Sequence, residues 1–218
     1  MTIETANIAA GRSRTNDPEA TKRNIIEVAT KEFAENGLSG ARIDEIAAKT
    51  KFSKRMIYYY FGDKDGLYLK VLEDCYSRVR ATEAALNLEG LSPLEALKTL
   101  VGFTFDHHTS NEAFIRLVMI ENIHHADYIA RSPVIQQLNV TAIDAIRKLY
   151  ERGVAEGSFR PGLDAIELHW QISALCFFNV SNRATFSAIF KRDLGTSESL
   201  ARLKEAVVDM IVRYVKAD

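Results

Sequence analysis

The stretch that decides the fold runs Ile43-Asp44-Glu45-Ile46-Ala47-Ala48-Lys49-Thr50-Lys51-Phe52-Ser53-Lys54-Arg55-Met56-Ile57-Tyr58-Tyr59-Tyr60-Phe61-Gly62-Asp63-Lys64. Ile43, Ile46 and Ala47 fall at helical spacing, and Ile57 and Phe61 are one turn apart further on. Between the two runs stand Lys51 and Phe52, then Ser53, a residue type that caps helix N-termini. The spacing predicts two short helices, Arg42 to Thr50 and Ser53 to Phe61, joined by a tight turn. Gly62 breaks the second, and Asp63 caps a longer helix after it. Two short helices in this arrangement, packed on a longer first one, form a helix-turn-helix.

Upstream, Asp17-Pro18 reads as a capping carboxylate with proline at the first helical position. Ile25, Ile26, Ala29 and Phe33 then make one apolar stripe, and Gly37 is expected to close that helix in a left-handed conformation. Residues 1–16 lack periodicity and read as a flexible tail. Arg12 and Arg14 on it suit a minor-groove arm, with an inert polar tail as the alternative.

Downstream the helical period persists to the end of the chain. The fourth helix is expected from Asp63 towards Leu88, and a fifth from Ser92-Pro93 to about His108. Asn111 is placed as the cap of a sixth ending near His124 and His125. Ser132-Pro133 opens a seventh to about Glu156, and Asp164 caps an eighth to about Asn182. A short helical piece is expected at Thr185 to Lys191, and Ser197 starts the last helix. The fold class is therefore all-α with about nine helices. Three segments divide it: the 1–16 tail, a helix-turn-helix domain over 17–62, and a second helical domain over 63–218.

Charge is distributed to match. The chain of 218 residues has a formal net charge of −1, so the bulk value points to no partner. Residues 12–64 nevertheless carry a net +3, and Lys49 to Lys64 holds five basic residues against one acid. A local basic face in a neutral chain suits specific anion contacts better than polycation binding. Lys54 and Arg55 directly follow the cap, where side chains reach guanine O6 and N7, and Met56 can touch a thymine methyl.

The run Ser53-Lys54-Arg55-Met56-Ile57-Tyr58-Tyr59-Tyr60-Phe61-Gly62-Asp63-Lys64-Asp65-Gly66-Leu67, with the helix before it, resembles the TetR family signature over about 18–72. The resemblance implies double-stranded operator DNA as partner. It matches Tyr58 to a phosphate-contacting tyrosine. Arg42, Ser53, Tyr59, Tyr60 and Lys64 complete the expected DNA-binding set. Two positions depart from the family pattern. Ala41 stands where a capping threonine is usual, and Lys51 where glycine often serves the turn, so Lys51 is expected to be left-handed or the turn altered. The resemblance further implies that the fourth to seventh helices enclose a small-molecule effector, and that the last two long helices pair in a homodimer. The stretch 111–190 also resembles regulators of aromatic or heteroaromatic acid breakdown, with Arg116, Arg183 or a histidine to meet a carboxylate.

For the effector, Phe103, His107, Phe114, Met119, Asn122, His125, Tyr128, Phe177 and Asn179 are the mixture of rings and polar tips expected of a lined cavity, or equally of an ordinary core. Glu121 and His125, four apart, form a candidate metal pair with no third ligand, so a metal-responsive regulator stays as an alternative, as does a ligand-independent DNA binder. No cofactor and no resident metal are expected. Cys75 and Cys176 form neither a disulfide framework nor a metal spacing. No GxSxG, phosphate loop or metal triad occurs, and Cys176 beside His169 reads as a core thiol, so no enzyme is expected. The N-terminus has no signal-peptide pattern and no stretch is long enough to span a membrane, so a cytoplasmic location is expected.

Overall fold

The computed structural model describes residues 17–217. Among these, ten α-helices follow one another: α1 (Pro18–Gly40), α2 (Ile43–Thr50), α3 (Lys54–Phe61), α4 (Lys64–Ala84), α5 (Pro93–Ser110), α6 (Glu112–Ile123), α7 (Pro133–Ala155), α8 (Ala165–Ser181), α9 (Arg183–Phe190) and α10 (Ser197–Val215). A 3-10 turn, Ile129–Arg131, precedes α7. The short helical piece expected near 185–191 is α9. No sheet forms among the described residues, where a single bridge joins Phe159 to Lys216. No helix is long and apolar enough to cross a membrane. The tail arginines Arg12 and Arg14 lie outside the described residues.

Most of the helix starts follow from local chemistry. The Asp17 carboxylate accepts from the N–H groups of Glu19 and Ala20, Asp63 from Gly66, Ser92 from Glu95, Ser132 from Ile135, and Asp164 from Ile166 and Glu167. Each satisfies donors that a helix N-terminus otherwise leaves unpaired. Asn111 is the exception. It holds the cap position of α6 without a capping bond, because its amide turns back to donate to the His107 carbonyl. Thr196, not Ser197, caps α10. The fourth helix stops at Ala84 rather than nearing Leu88; the following stretch turns over as a loop into Ser92.

Two apolar clusters hold the helices. The N-terminal one gathers Ile25, Ala29 and Phe33 of α1, Ile46 of α2, Ile57 of α3 and Leu67, Tyr68 and Val71 of α4. Leu117 of α6 and Ile135 of α7 are buried in the same cluster. The helix-turn-helix thus has no core of its own that closes at residue 62. The second cluster joins Leu97, Leu100 and Phe105 of α5, Ile146 and Leu149 of α7, Leu168 and Ile172 of α8, and Val207 and Ile211 of α10. Side chains as fully buried as Phe33 or Ile25 (0% exposed) each stabilise by about 1.5–3 kcal/mol relative to exposure. α6 is pinned to α1 directly, since the Arg116 Nε–H donates to the Ala34 carbonyl at 2.7 Å.

Candidate nucleic-acid interface and effector site

The turn between α2 and α3 is made by Lys51 in the left-handed region, φ 62°. A lysine there costs more than a glycine, which is the conformational departure expected from its position. Arg42 is the cap residue of α2 and makes no side-chain capping bond, so the loss of a capping hydroxyl at Ala41 is not made good. The Ser53 hydroxyl caps α3 by accepting from Met56 N–H at 3.2 Å.

α3 divides cleanly by face. Ile57 is fully buried, whereas Lys54, Arg55, Tyr58 and Tyr59 are exposed and form one stripe. Met56 and Tyr60 are half-buried at its margins. Lys54 forms an ion pair with Asp44 of α2. Both side chains are about half exposed, so the pair is weak and exchangeable. The Tyr60 ring lies under the Lys22 ammonium, 5.6 Å from its centroid. Arg42 and Arg55 are exposed. Lys64 is engaged: its ammonium donates to the Ala41 carbonyl at 3.1 Å and reaches that of Ser39 at 3.5 Å. It therefore staples the start of α4 across the α1–α2 joint.

Of the expected effector residues, the structure brings four together. Phe103 and His107 of α5, Phe114 of α6 and Phe177 of α8 form a ring group, with Tyr76 of α4 and His108 as further members. Sequence reading had not singled out Tyr76. Asn122 and Phe177 border a cavity of about 360 Å³ together with His169 and Trp170. Met119 is half-buried on α6. Asn179 spends its amide on the Leu175 carbonyl.

Tyr128 lies elsewhere. Its ring packs edge-on to Tyr68 and its hydroxyl donates to Asp65 at the head of α4, 3.0 Å away. It belongs to the seam between the N-terminal cluster and the 124–132 corner, because η-turn backbone, not helix, carries it there. His125 is exposed and left-handed at φ 57°. α6 has already ended at Ile123, so Glu121 and His125 do not share a helical face. The Glu121 carboxylate points inward and accepts from the N–H groups of Tyr128 and Ile129. The proposed metal pair is thereby undone. Arg116, bound to the Ala34 carbonyl, is likewise committed away from the ring group.

The buried histidines are neutral at physiological pH. Burial, then the charges of His108 and Arg80, lowers His107 to about 4. Burial, then Arg80 and His108, lowers His169 to about 4. Burial also lowers His108, against the opposing bond of its Nδ1 to the Thr104 carbonyl. Arg80 of α4 is thus felt by all three, and no sequence pattern marked it. Its guanidinium is paired with Glu83 and donates to Asn139 of α7 at 2.8 Å. Cys176 is fully buried, and burial pushes its thiol up to about 12, which leaves it protonated and inert.

Known proteins place this arrangement. Residues 25–71 match the domain of bacterial regulatory proteins of the tetR family, and residues 93–211 match a tetracyclin repressor-like C-terminal domain. The HTH-type transcriptional repressor NicS of Pseudomonas putida is 33% identical over 203 residues, covering 93% of this chain and 96% of its own. The repressor SCO4008 of Streptomyces coelicolor is 33% identical over 141 residues, covering 63% of this chain and 69% of its own. Among solved structures, the regulator SCO4942 of Streptomyces coelicolor superposes with a TM-score of 0.68 at 24% identity, over 89% of this chain and 98% of its own. KstR2 of Mycobacterium tuberculosis gives 0.62 at 19% identity, over 94% and 98%; at such identities the likeness is one of fold. With the exposed basic and aromatic stripe of α3 and both domain matches in hand, the chain belongs to the TetR family of DNA-binding transcriptional regulators.

Proposed function

We propose that the protein is a repressor that grips a palindromic operator as a homodimer and leaves it when a small aromatic effector binds the C-terminal domain. The observation that carries this reading is the placement of α4. Its first turns lie in the same core as α3, and its later turns bear Tyr76 and Arg80 beside the ring group. One rigid rod therefore touches both the reading head and the effector region. Two-fold pairing through α8 and α10 is supported by Trp170, Phe178, Met210 and Tyr214, large apolar side chains exposed on these two helices. Two heads fit successive major grooves only near one separation, about 34–36 Å, so a small tilt of α4 suffices to release them.

In this reading Arg55 reads a base, Tyr58 and Arg42 meet phosphate, and Lys54 exchanges Asp44 for DNA. Lys64 keeps its carbonyl staple and acts by holding the head in shape. Aromatic effectors are favoured by the rings of Phe103, Phe114 and Phe177 together with three neutral histidines as hydrogen-bond partners.

The test is selection of a binding site from random duplex DNA, followed by gel-shift titration. Arg55→Ala should weaken the selected site by about 1–3 kcal/mol and relax one base position. Tyr58→Phe should weaken all sequences alike. A protein that enriches no sequence, or variants that titrate like the unmodified chain, would refute the assignment of α3. Benzoate and related aromatic acids are then screened for loss of the shifted band.

A further inference from the structure

The larger cavity does not touch the ring group. It lies between the C-terminal half of α4, the stretch after it, Leu100 of α5 and residues 138–152 of α7, and holds about 1120 Å³. That exceeds the ~300–1,000 Å³ usual for a small-molecule site and is far more than a single ring fills. Its apolar wall consists of Leu86, Leu88, Leu100, Leu138 and Leu149 with alanines between them, and no aromatic side chain among the described residues lines it.

Its charges are unevenly satisfied. Glu83 is held by Arg80, and Asp144 by Arg147. Glu89 and Lys148 complete the acids and lysines of the rim. Arg152 differs from the rest. Its terminal nitrogens donate to the carbonyls of Glu89 at 2.8 Å and Leu88 at 3.1 Å. No carboxylate among the described residues stands within ion-pair distance of it, and its Nε is buried with no partner. Buried polar hydrogens are normally paired. A guanidinium fixed by two carbonyls, with its Nε–H edge left over, is preorganised for one incoming anion.

We propose that this cavity is a ligand site separate from the ring group, and that it takes an elongated aliphatic monocarboxylate. The alkyl chain lies along the leucine wall, and the carboxylate accepts from the Nε edge of Arg152. One unpaired guanidinium matches one carboxylate charge, and a wall of leucine and alanine without rings suits a flexible chain better than a planar ligand.

The probes are decanoate, decan-1-ol and benzoate, titrated calorimetrically into the full-length protein without DNA. Decanoate should bind once per chain and at least about tenfold more tightly than decan-1-ol, the margin of one charge-assisted hydrogen bond. Benzoate should not displace it. Arg152→Gln should cut decanoate affinity about tenfold or more and leave decan-1-ol unchanged, a split that general loss of structure would not produce. Ala145→Trp, at an exposed position on the cavity lining, should block both. Absence of decanoate binding, equal affinity for acid and alcohol, or full affinity in either variant would overturn the proposal. Operator binding plays no part in the readout, so failure of the repressor reading would leave this result standing, and the converse also holds.

Discussion

Gly66 sits where a side chain cannot. A Cβ built there would lie 2.2 Å from the Phe61 carbonyl oxygen, a backbone atom that cannot swing away. The glycine therefore sets how closely α4 docks behind the reading helix. Gly66→Ala should lower stability by about 1–3 kcal/mol through forced backbone shifts and weaken operator binding, both measurable by urea unfolding and gel shift. Histidines give a second prediction at this scale. His107 and His169 titrate near 4 when folded but near 6.5 when unfolded. Between these values the unfolded chain binds the extra protons, so stability falls as pH drops from about 6.5 to 4. The melting temperature of a His107→Phe, His169→Phe double variant should depend less on pH across that window than that of the unmodified protein; parallel curves would refute the assignment. Residue chemistry acting over three or four positions was legible in the sequence: Asp17, Ser53, Asp63, Ser132 and Asp164 cap where their spacing said. Arg80, Arg152 and Glu73 were not legible, because the groups that define them stand 59 to 64 residues away.

At the scale of elements, the corner between α6 and α7 clasps the same helix that carries the reading head. The Ser132 hydroxyl donates to the buried Glu73 carboxylate at 2.8 Å, and the Tyr128 hydroxyl to Asp65. His125 and Ala126 take up consecutive left-handed conformations, φ 57° and 61°, to bring the chain round. Such conformations are costly for residues with a Cβ, by about 1–2 kcal/mol each, and persist because Glu121 holds the N–H groups beyond them. The corner is the second tether on α4, beside the α3–α4 joint. Ser132→Ala with Tyr128→Phe should leave effector binding in place while shrinking the effector-induced change in operator affinity, out of a typical coupling of about 1–3 kcal/mol. Paired titrations with and without effector check this; an unchanged ratio of affinities would show that the corner is passive. Helical periodicity identified every helix here, yet it placed Tyr128 with the ring group. A non-helical corner has no period from which to read a side chain's direction.

At the scale of the whole molecule, the apolar side chains left in solvent are concentrated late in the chain. Trp170 is 70% exposed, and Ile189 and Phe190 on α9 are 69% and 65%. Faces of this kind mark association surfaces. Sedimentation should give a mass twice the 24.5 kDa of one chain at micromolar concentration, and Trp170→Glu should shift it towards a single chain. The three-helix head was legible from one contiguous motif. The effector region was legible only as a list of rings, since its shape depends on how five separate helices come together.

Leu117 and Ile135 close the core in which Ile25, Phe33 and Ile57 are buried. The head is consequently not a cassette. A graft of residues 17–62 onto another regulator's body would arrive with its underside open, and would read its operator only if the new host happened to offer apolar side chains at the two matching places. Operator specificity in this chain is therefore inherited together with α6 and the start of α7, and exchange of one head for another has to include them.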